Sequence, residues 1–276
     1  MCYNFLVKFL ALEGNMAKLQ AHRGVSSTYP ENTMAAFRAS VAEGYDYIEF
    51  DPKYTSDGEI VILHDRTLDR TARNHDGSKV EAGKEIFSIT LEEARSYDYG
   101  IWFDKRFAGE QMPLLRDLLD FAKESKIPIK VDNVWESFPD EIKEILFAQI
   151  AEYGDSIRVG FTCARLETLE LAAKRFPNAD IHYDGGDLSR ERLEEVARLA
   201  KGHHLYVWVC YDNDLTGWFK GTKATPEVCR FVRQYGELGV WILSKKEELE
   251  IAVRDLDAEI IETTGHIKPE WLNEIK

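Results

Sequence analysis

Two short stretches of the chain carry side chains that can move protons and hold a cation. Across residues 47–51, alternation along an extended strand puts Glu49 and Asp51 on one face and turns Ile48 and Phe50 to the other. Lys53 continues the acidic face two residues on. Two carboxylates one pleat apart are the outline of a hard-cation site. His22 in A-H-R-G and His64 beside Asp65 add two imidazoles, the side chain that takes and gives a proton near neutral pH. Arg23 offers a planar fork of donors that suits phosphate oxygens, and Gly24 lets the backbone turn closely next to it. An acid pair, two imidazoles and a guanidinium are the equipment for metal-assisted chemistry on a phosphate ester.

These groups need a scaffold that brings distant strand ends together. Eight short apolar or alternating runs recur along the chain, at residues 17–22, 47–51, 128–133, 156–162, 180–183, 205–211, 240–244 and 259–263. Between most of them lie segments such as T-M-A-A-F-R-A-S-V-A-E-G and L-E-T-L-E-L-A-A-K-R-F-P, whose apolar residues return every three or four positions. Strand and helix in alternation imply parallel pairing, and eight such units imply a closed (β/α)8 TIM barrel. Asn32 or Thr33 is placed to cap the first helix and Gly44 to end it, while Pro226 opens a later helix that Gly236 closes. Residues 66–112 are too long for a barrel loop and read as a small subdomain inserted after the second strand. One domain then spans 16–276, with 1–15 as an amino-terminal extension and Met16 as a candidate start. Working groups in such a barrel sit at the carboxyl ends of the strands. His22 ends the first strand, Glu49 and Asp51 the second and Asp132 the third, so the three acids are the expected ligands of a hard divalent cation, Mg²⁺ or Ca²⁺.

Charge and composition narrow the partners. Of 276 residues, 49 are acidic and 35 basic, for a net charge of −14, which argues against a general nucleic-acid binder. An anionic substrate is also repelled at long range, so a phosphate site must be made locally positive. Cys2, Cys163, Cys210 and Cys229 stand far apart with no C-x-x-C, the pattern of reduced thiols in a cytoplasmic protein. The opening M-C-Y-N-F-L-V-K-F-L-A-L-E-G is interrupted by Lys8 and Glu13 and is too short to span a bilayer, so no stable membrane insertion is expected. Oligomeric state is not legible at this level.

The ordered string H-R-G, P-E-N-T, E-x-D, T-x-D-G and H-D, followed by R-T-L-D-R-T-A at 66–72, resembles the amino-terminal signature of the glycerophosphodiester phosphodiesterase family. The likeness is specific through residues 20–71 and weaker to the end of the chain. It implies a cation-dependent hydrolysis of glycerophosphodiesters to an alcohol and glycerol 3-phosphate, with His22 and His64 as acid and base in an order the sequence leaves open. It also implies that the first attacking oxygen can be the substrate's own neighbouring glycerol hydroxyl, giving a cyclic phosphate that water opens later.

Two positions depart from the family. Asp132 stands where glutamate is usual, and Val134 stands where a lysine normally points into the site. Lys53 offers a replacement ammonium for phosphate or sits at the barrel rim; Lys130 shares the face of Asp132 but lies lower, where it can pair with a core carboxylate. Trp241, in W-I-L-S where the family has W-T-V-N, is expected to wall the glycerol pocket. Glu31 is placed to orient Arg23 or a metal-bound water, or simply to start a helix. His75, His182, His203, His204 and His266 read as surface or packing residues. Asp184 and Asp212 read as turn residues at the rim, and Trp135, Trp208 and Trp218 as mouth or core aromatics. The rival readings are a lysophospholipase D or phospholipase-C-like enzyme, which calls for an apolar groove at the mouth, and a metal- and phosphate-binding relative without turnover, suggested by Asp132 and Val134.

Overall fold

The computed structural model describes residues 17–211 and 222–275. The amino-terminal extension with Met16 and Cys2, and the later Asp212 and Trp218, lie outside the described residues. In chain order the strands are β1 (Lys18–Ala21), β2 (Tyr47–Phe50), β3 (Pro52–Tyr54), β4 (Ile60–Ile62), β5 (Ile129–Val131), β6 (Val159–Cys163), β7 (Asp180–Tyr183), β8 (Leu205–Cys210), β9 (Glu237–Leu243) and β10 (Ile260–Thr263). All but β3 and β4 form a closed parallel barrel in the order β1-β10-β9-β8-β7-β6-β5-β2. The helices are α1 (Met34–Ala42), α2 (Leu91–Ala94), α3 (Leu115–Ser125), α4 (Asp140–Ala151), α5 (Leu166–Arg175), α6 (Arg190–Leu199), α7 (Pro226–Val232) and α8 (Lys246–Arg254). This is the TIM barrel read from the sequence.

Alternation sorts each stave into two faces. Leu19, Ile48, Val131, Phe161, Ile181 and Val207 point outward and are buried with Phe37, Leu118, Leu146, Leu169, Leu193, Val232 and Leu249 of the surrounding helices. Each such side chain, fully buried, contributes roughly 1.5–3 kcal/mol. The inward set is different. Tyr47, Tyr206, Trp208, Cys210, Trp241 and Ile260 form a separate, largely aromatic cluster inside the barrel, and buried Gln20, Glu49, Lys130, Thr162, Asp180, His182 and Glu262 share that interior. Rings of this size fit only because two staves carry glycine. A Cβ on Gly160 would lie 2.3 Å from His182 Nε2, and one on Gly239 would lie 2.4 Å from the Trp208 ring. His182 is therefore a core residue, its Nδ1 accepting from Trp208 Nε1 at 3.0 Å.

Several boundaries differ from the sequence reading for identifiable reasons. Thr33, extended at φ −120°, is the cap of α1 and accepts from the Ala36 amide, which releases Asn32 for another task. Helix α7 begins at Pro226 as expected, with Thr225 as its cap, but ends at Val232. Gly236 instead belongs to the approach to β9, where a Cβ would lie 2.9 Å from the Leu205 carbonyl. β9 starts at Glu237, three residues earlier than expected from the apolar run, and β6 starts at Val159, three later. The β3–β4 hairpin, paired antiparallel with Lys53 opposite Val61, was not anticipated. It carries the chain into the insertion, which has its own apolar core of Val61, Leu63, Leu68, Ala72, Val80, Ile86, Ile89, Ala94, Tyr99 and Met112. β4 stands between the two cores, with Val61 in this one and Ile60 and Ile62 in the main one.

Candidate active site

At the carboxyl end of β1 the chain turns through Arg23 at φ 60° and Gly24 at φ 76°. A Cβ at Gly24 would meet Ala36 atoms at 2.7–2.9 Å, so only glycine lets the turn lie against α1. The turn aims the Arg23 amide at Glu49, donating to Oε2 at 2.9 Å. The Arg23 guanidinium donates from Nη1 to Glu31 at 3.0 Å and pairs through Nε with Asp51 at 3.2 Å. Asn32, also left-handed at φ 55°, donates from Nδ2 to Asp51 Oδ2 at 2.7 Å. The left-handed backbone of Arg23 and Asn32 is uncommon for non-glycine residues and here serves Glu49 of β2 and Asp51 just beyond its end directly.

The three acids expected as ligands converge: Glu49, Asp51 and Asp132 each present an oxygen within 4.8 Å of the others. They are not electrostatically alike. Burial works to raise the Asp51 carboxyl, but Arg23, supported by His64, Lys53 and Asn32, outweighs it and holds Asp51 below the ordinary aspartate range. Glu49 is lifted well above the glutamate range by burial and then by Asp51, and Asp132 is pushed up to about 6 by burial and then by Asp51. Two buried carboxylates and a half-buried one crowded this closely, two of the three driven toward their protonated forms, are a donor set that a divalent cation would relieve. Asp132 also accepts from the Val134 amide at 3.1 Å, capping the short 3₁₀ turn Asn133–Ser137. That cap fixes the carboxylate and starts the turn at Asn133, so Val134 lies beyond the end of β5.

The two histidines sit in contrasting settings. His22 is half-buried, desolvation first and foremost lowers it to about 4, and its Nδ1, shielded from solvent, has no hydrogen-bond partner among the described residues. His64, with 39% of its side chain exposed, places Nδ1 2.6 Å from Asp65 Oδ1. The hydrogen bond to His64 leads the interactions that hold Asp65 well below the ordinary aspartate range. Both imidazoles face one cavity of about 400 Å³ at the carboxyl end of the barrel, with Arg23, Glu49 and Asp132 on its polar side and Val134, Trp241 and Ile242 among its lining. His22, Arg23, Glu49, His64, Asp132 and Trp241 are thus brought together as the sequence suggested, and Asp51 joins them through the acid cluster. Lys53 is not among the side chains lining the cavity, although its ammonium interacts with Asp51 and Asp132 of the acid cluster. β2 ends at Phe50 and Pro52 begins the hairpin, so the strand that would have carried Lys53 along the ligand face has already left the barrel. Its ammonium is lowered by burial, with Asp51 and Asp132 countering that only in part.

At the floor of the cavity Lys130 pairs with a core carboxylate, one of the two roles the sequence offered it, but Glu262 and Gln20 were not identified beside it in that floor. Lys130 donates to Glu262 Oε2 at 2.8 Å, Gln20 Nε2 donates to the same oxygen, and the Lys130 ammonium stands 4.2 Å from the centre of the Trp208 ring. The available signal was a polar residue in the middle of each apolar strand, L-Q-A, I-K-V and I-I-E-T. Asp184, expected as a turn residue, lines the same cavity and is pushed up to about 7, chiefly by burial.

The glycerophosphoryl diester phosphodiesterase family pattern matches residues 22–240. The glycerophosphodiester phosphodiesterase of Caldanaerobacter subterraneus subsp. tengcongensis is 35% identical over 238 residues, covering 85% of this chain and 88% of its own length. A glycerophosphodiester phosphodiesterase of Bacillus altitudinis is 31% identical over 193 residues, covering 68% of this chain and 75% of its own. Among solved structures, a phosphodiesterase from Oleispira antarctica in complex with the product sn-glycerol-3-phosphate superimposes with a TM-score of 0.70 at 18% identity, covering 94% of this chain and 96% of its own. A glycerophosphoryl diester phosphodiesterase from Parabacteroides distasonis gives 0.69 at 20% identity, covering 99% and 90%. At those identities the structures speak for the fold, and the matched pattern and the curated relatives speak for the family. With the signature residues of the first two strands gathered around one cavity, the chain belongs to the glycerophosphoryl diester phosphodiesterase family.

Proposed function

We propose that this member of a family of glycerophosphodiester hydrolases works with His22 as general base, His64 as general acid, and Glu49, Asp51 and Asp132 as the ligands of a divalent cation. The all-oxygen donor set suits Mg²⁺ or Ca²⁺. Such a cation, when bound, supplies electrophilic stabilisation of charge on the phosphoryl oxygens. Everything else falls to the chain. A base must be unprotonated when substrate arrives, and His22, lowered to about 4, meets that condition throughout the neutral range. His64 has Nδ1 occupied by Asp65 at 2.6 Å, which leaves Nε2 to hand a proton to the departing alkoxide. Arg23, steadied by Glu31 and Asp51, is the phosphate-facing fork.

The observation that carries this reading is the gathering of both imidazoles and the acid cluster at one cavity. The glycerol moiety is assigned to the Trp241 side, and the leaving alcohol to the wall of Val134 and Ile242. These three side chains are the apolar lining among the described residues, a short wall that fits a small alcohol better than an acyl chain. Buried thiols at Cys163 and Cys229 fit a reducing, cytoplasmic setting, and no helix among the described residues is long and apolar enough to cross a membrane. The test is release of glycerol 3-phosphate from glycerophosphocholine and glycerophosphoglycerol with Mg²⁺, Mn²⁺ or Ca²⁺. His22→Ala and His64→Ala should each lose about 10²-fold or more in kcat. A wild-type rate equal to that of His22→Ala in every metal would leave a binding protein, and faster turnover of lysophosphatidylcholine would favour the lysophospholipase D reading.

A further inference from the structure

Arg70 lies in the insertion, away from the barrel strands, and its guanidinium is fully committed to two carboxylates. Nε donates to Asp65 Oδ2 at 2.6 Å and Nη2 to Asp65 Oδ1 at 3.1 Å. Nη1 donates to Glu31 Oε2 at 2.7 Å, and Nη2 to Glu31 Oε1 at 2.8 Å. A planar fork bound on both edges has little freedom left, so it fixes the two acids relative to each other. Each acid reaches onward to a residue of the candidate site. Asp65 Oδ1 lies 2.6 Å from His64 Nδ1, and Glu31 Oε1 accepts from Arg23 Nη1 at 3.0 Å.

From this geometry we infer that Arg70 is a positioning residue that sets His64 and Arg23 in a fixed mutual arrangement. The inference rests on the reading of His64 as acid and Arg23 as phosphate ligand. An unbroken line of contacts runs His64, Asp65, Arg70, Glu31, Arg23, Asp51, from the proton donor to a cation ligand. Without Arg70, Glu31 and Asp65 would lose their shared counterion and repel each other, turning His64 and Arg23 away from their present directions. The insertion supplies more than the arginine: the Arg70 guanidinium also stands 5.9 Å from the Trp102 ring. An arginine with 42% of its side chain exposed adds little to folding, so its consequences should be read in kinetics rather than in stability.

The two arms of the relay separate in a kcat-against-KM measurement. Asp65→Asn should lower kcat about 10- to 100-fold with KM within threefold, the size seen when a carboxylate that orients a working histidine is removed. Glu31→Gln should raise KM and weaken inorganic phosphate binding at least fivefold, with the smaller change in kcat. Arg70→Gln should do both, and Arg70→Lys, which keeps the charge but not the fork, should recover less than a tenth of the lost kcat. Free guanidinium should partly restore Arg70→Ala. Arg66→Gln, in the neighbouring surface pair with Glu85, is the control and should match wild type. Phosphate binding by calorimetry keeps the test independent of turnover. If the wild type is inert in every metal the hydrolase reading fails, yet Arg70→Gln must still weaken phosphate binding. Arg70→Gln within twofold of wild type in kcat, KM and phosphate affinity overturns the inference, as does full rescue by Arg70→Lys.

Discussion

Replacing one partner of the Lys130–Glu262 pair is the sharpest test of the barrel interior. The two charges stand 2.8 Å apart with side chains 6% and 7% exposed. At an effective dielectric constant of about 20 their gross attraction is about 6 kcal/mol, against a desolvation cost of several kcal/mol for each ion. The pair as a whole therefore comes close to breaking even. Removing one member leaves the other buried without its counterion, at about 3–5 kcal/mol, a cost that the orphan limits by changing its protonation state. Lys130→Met also gives up the ammonium's approach to Trp208, worth up to about 2 kcal/mol in a dry site. Glu262→Gln and Lys130→Met should each destabilise the protein by about 3–5 kcal/mol, whereas the double variant should lie within about 2 kcal/mol of wild type. Urea unfolding at pH 7 in excess EDTA, which removes cation binding from the comparison, measures all three. Single variants costing under about 1 kcal/mol, or a double variant whose cost equals the sum of the singles, would refute the reasoning.

The remaining expectations concern the cation, the cavity wall and pH. Asp51→Asn should abolish both cation binding to EDTA-stripped protein by calorimetry and turnover; full activity in EDTA would contradict the acid cluster's assignment. Val134→Lys adds a cation to the cavity wall and should strengthen inhibition by inorganic phosphate about tenfold, with unchanged inhibition showing that position 134 does not face the phosphate. At saturating cation, kcat/KM should hold on the acid side until pH approaches about 4, because His22 is lowered to that value and its neutral, base-competent form is lost only as pH falls through it. An acid limb at pH 6–7 that disappears in His22→Ala would reverse the assignment. Inorganic phosphate should bind the EDTA-stripped protein at least 100-fold more weakly than the cation-loaded one, and equal affinities would show that the acids do not govern anion entry.

How far the sequence could be read depends on whether a residue's role is local or made by the fold. Glu49 and Asp51 were legible because strand alternation alone puts them together, and His22 and Asp132 because a barrel exposes its strand ends. Lys53 was reached by carrying the same alternation past Phe50, where Pro52 begins a hairpin, and it interacts with Asp51 and Asp132 without lining the cavity. Asn32 was read as a possible cap, but Thr33 takes that place and a left-handed backbone turns Asn32 to Asp51. The pairing of Lys130 with Glu262 spans 132 residues and follows only from barrel closure, which brings β5 and β10 to face each other across the interior. A polar residue inside an apolar strand announces that some partner exists; register and closure decide which one.

Closure also explains how a chain with net charge −14 can accept a phosphodiester. Two cations at the cavity are already engaged, Lys130 by Glu262 and Arg23 by Glu31 and Asp51, and the nearby Lys53 is itself disfavoured as a charge by burial. Glu49 and Asp132 have no ion pair of their own among the described residues, and burial and Asp51 drive both upward with Lys130 countering only in part. An anionic substrate meets these two acids first. A single unscreened like charge at about 4 Å costs about 4 kcal/mol at an effective dielectric of 20, which is nearly a thousandfold in affinity. Arg23 alone cannot offset it, because its guanidinium already serves two carboxylates. If a cation neutralises the acids before the phosphodiester settles, binding is ordered, cation before substrate. The crowding that makes Glu49 and Asp132 poor carboxylates on their own is what makes them a selective gate for the loaded site.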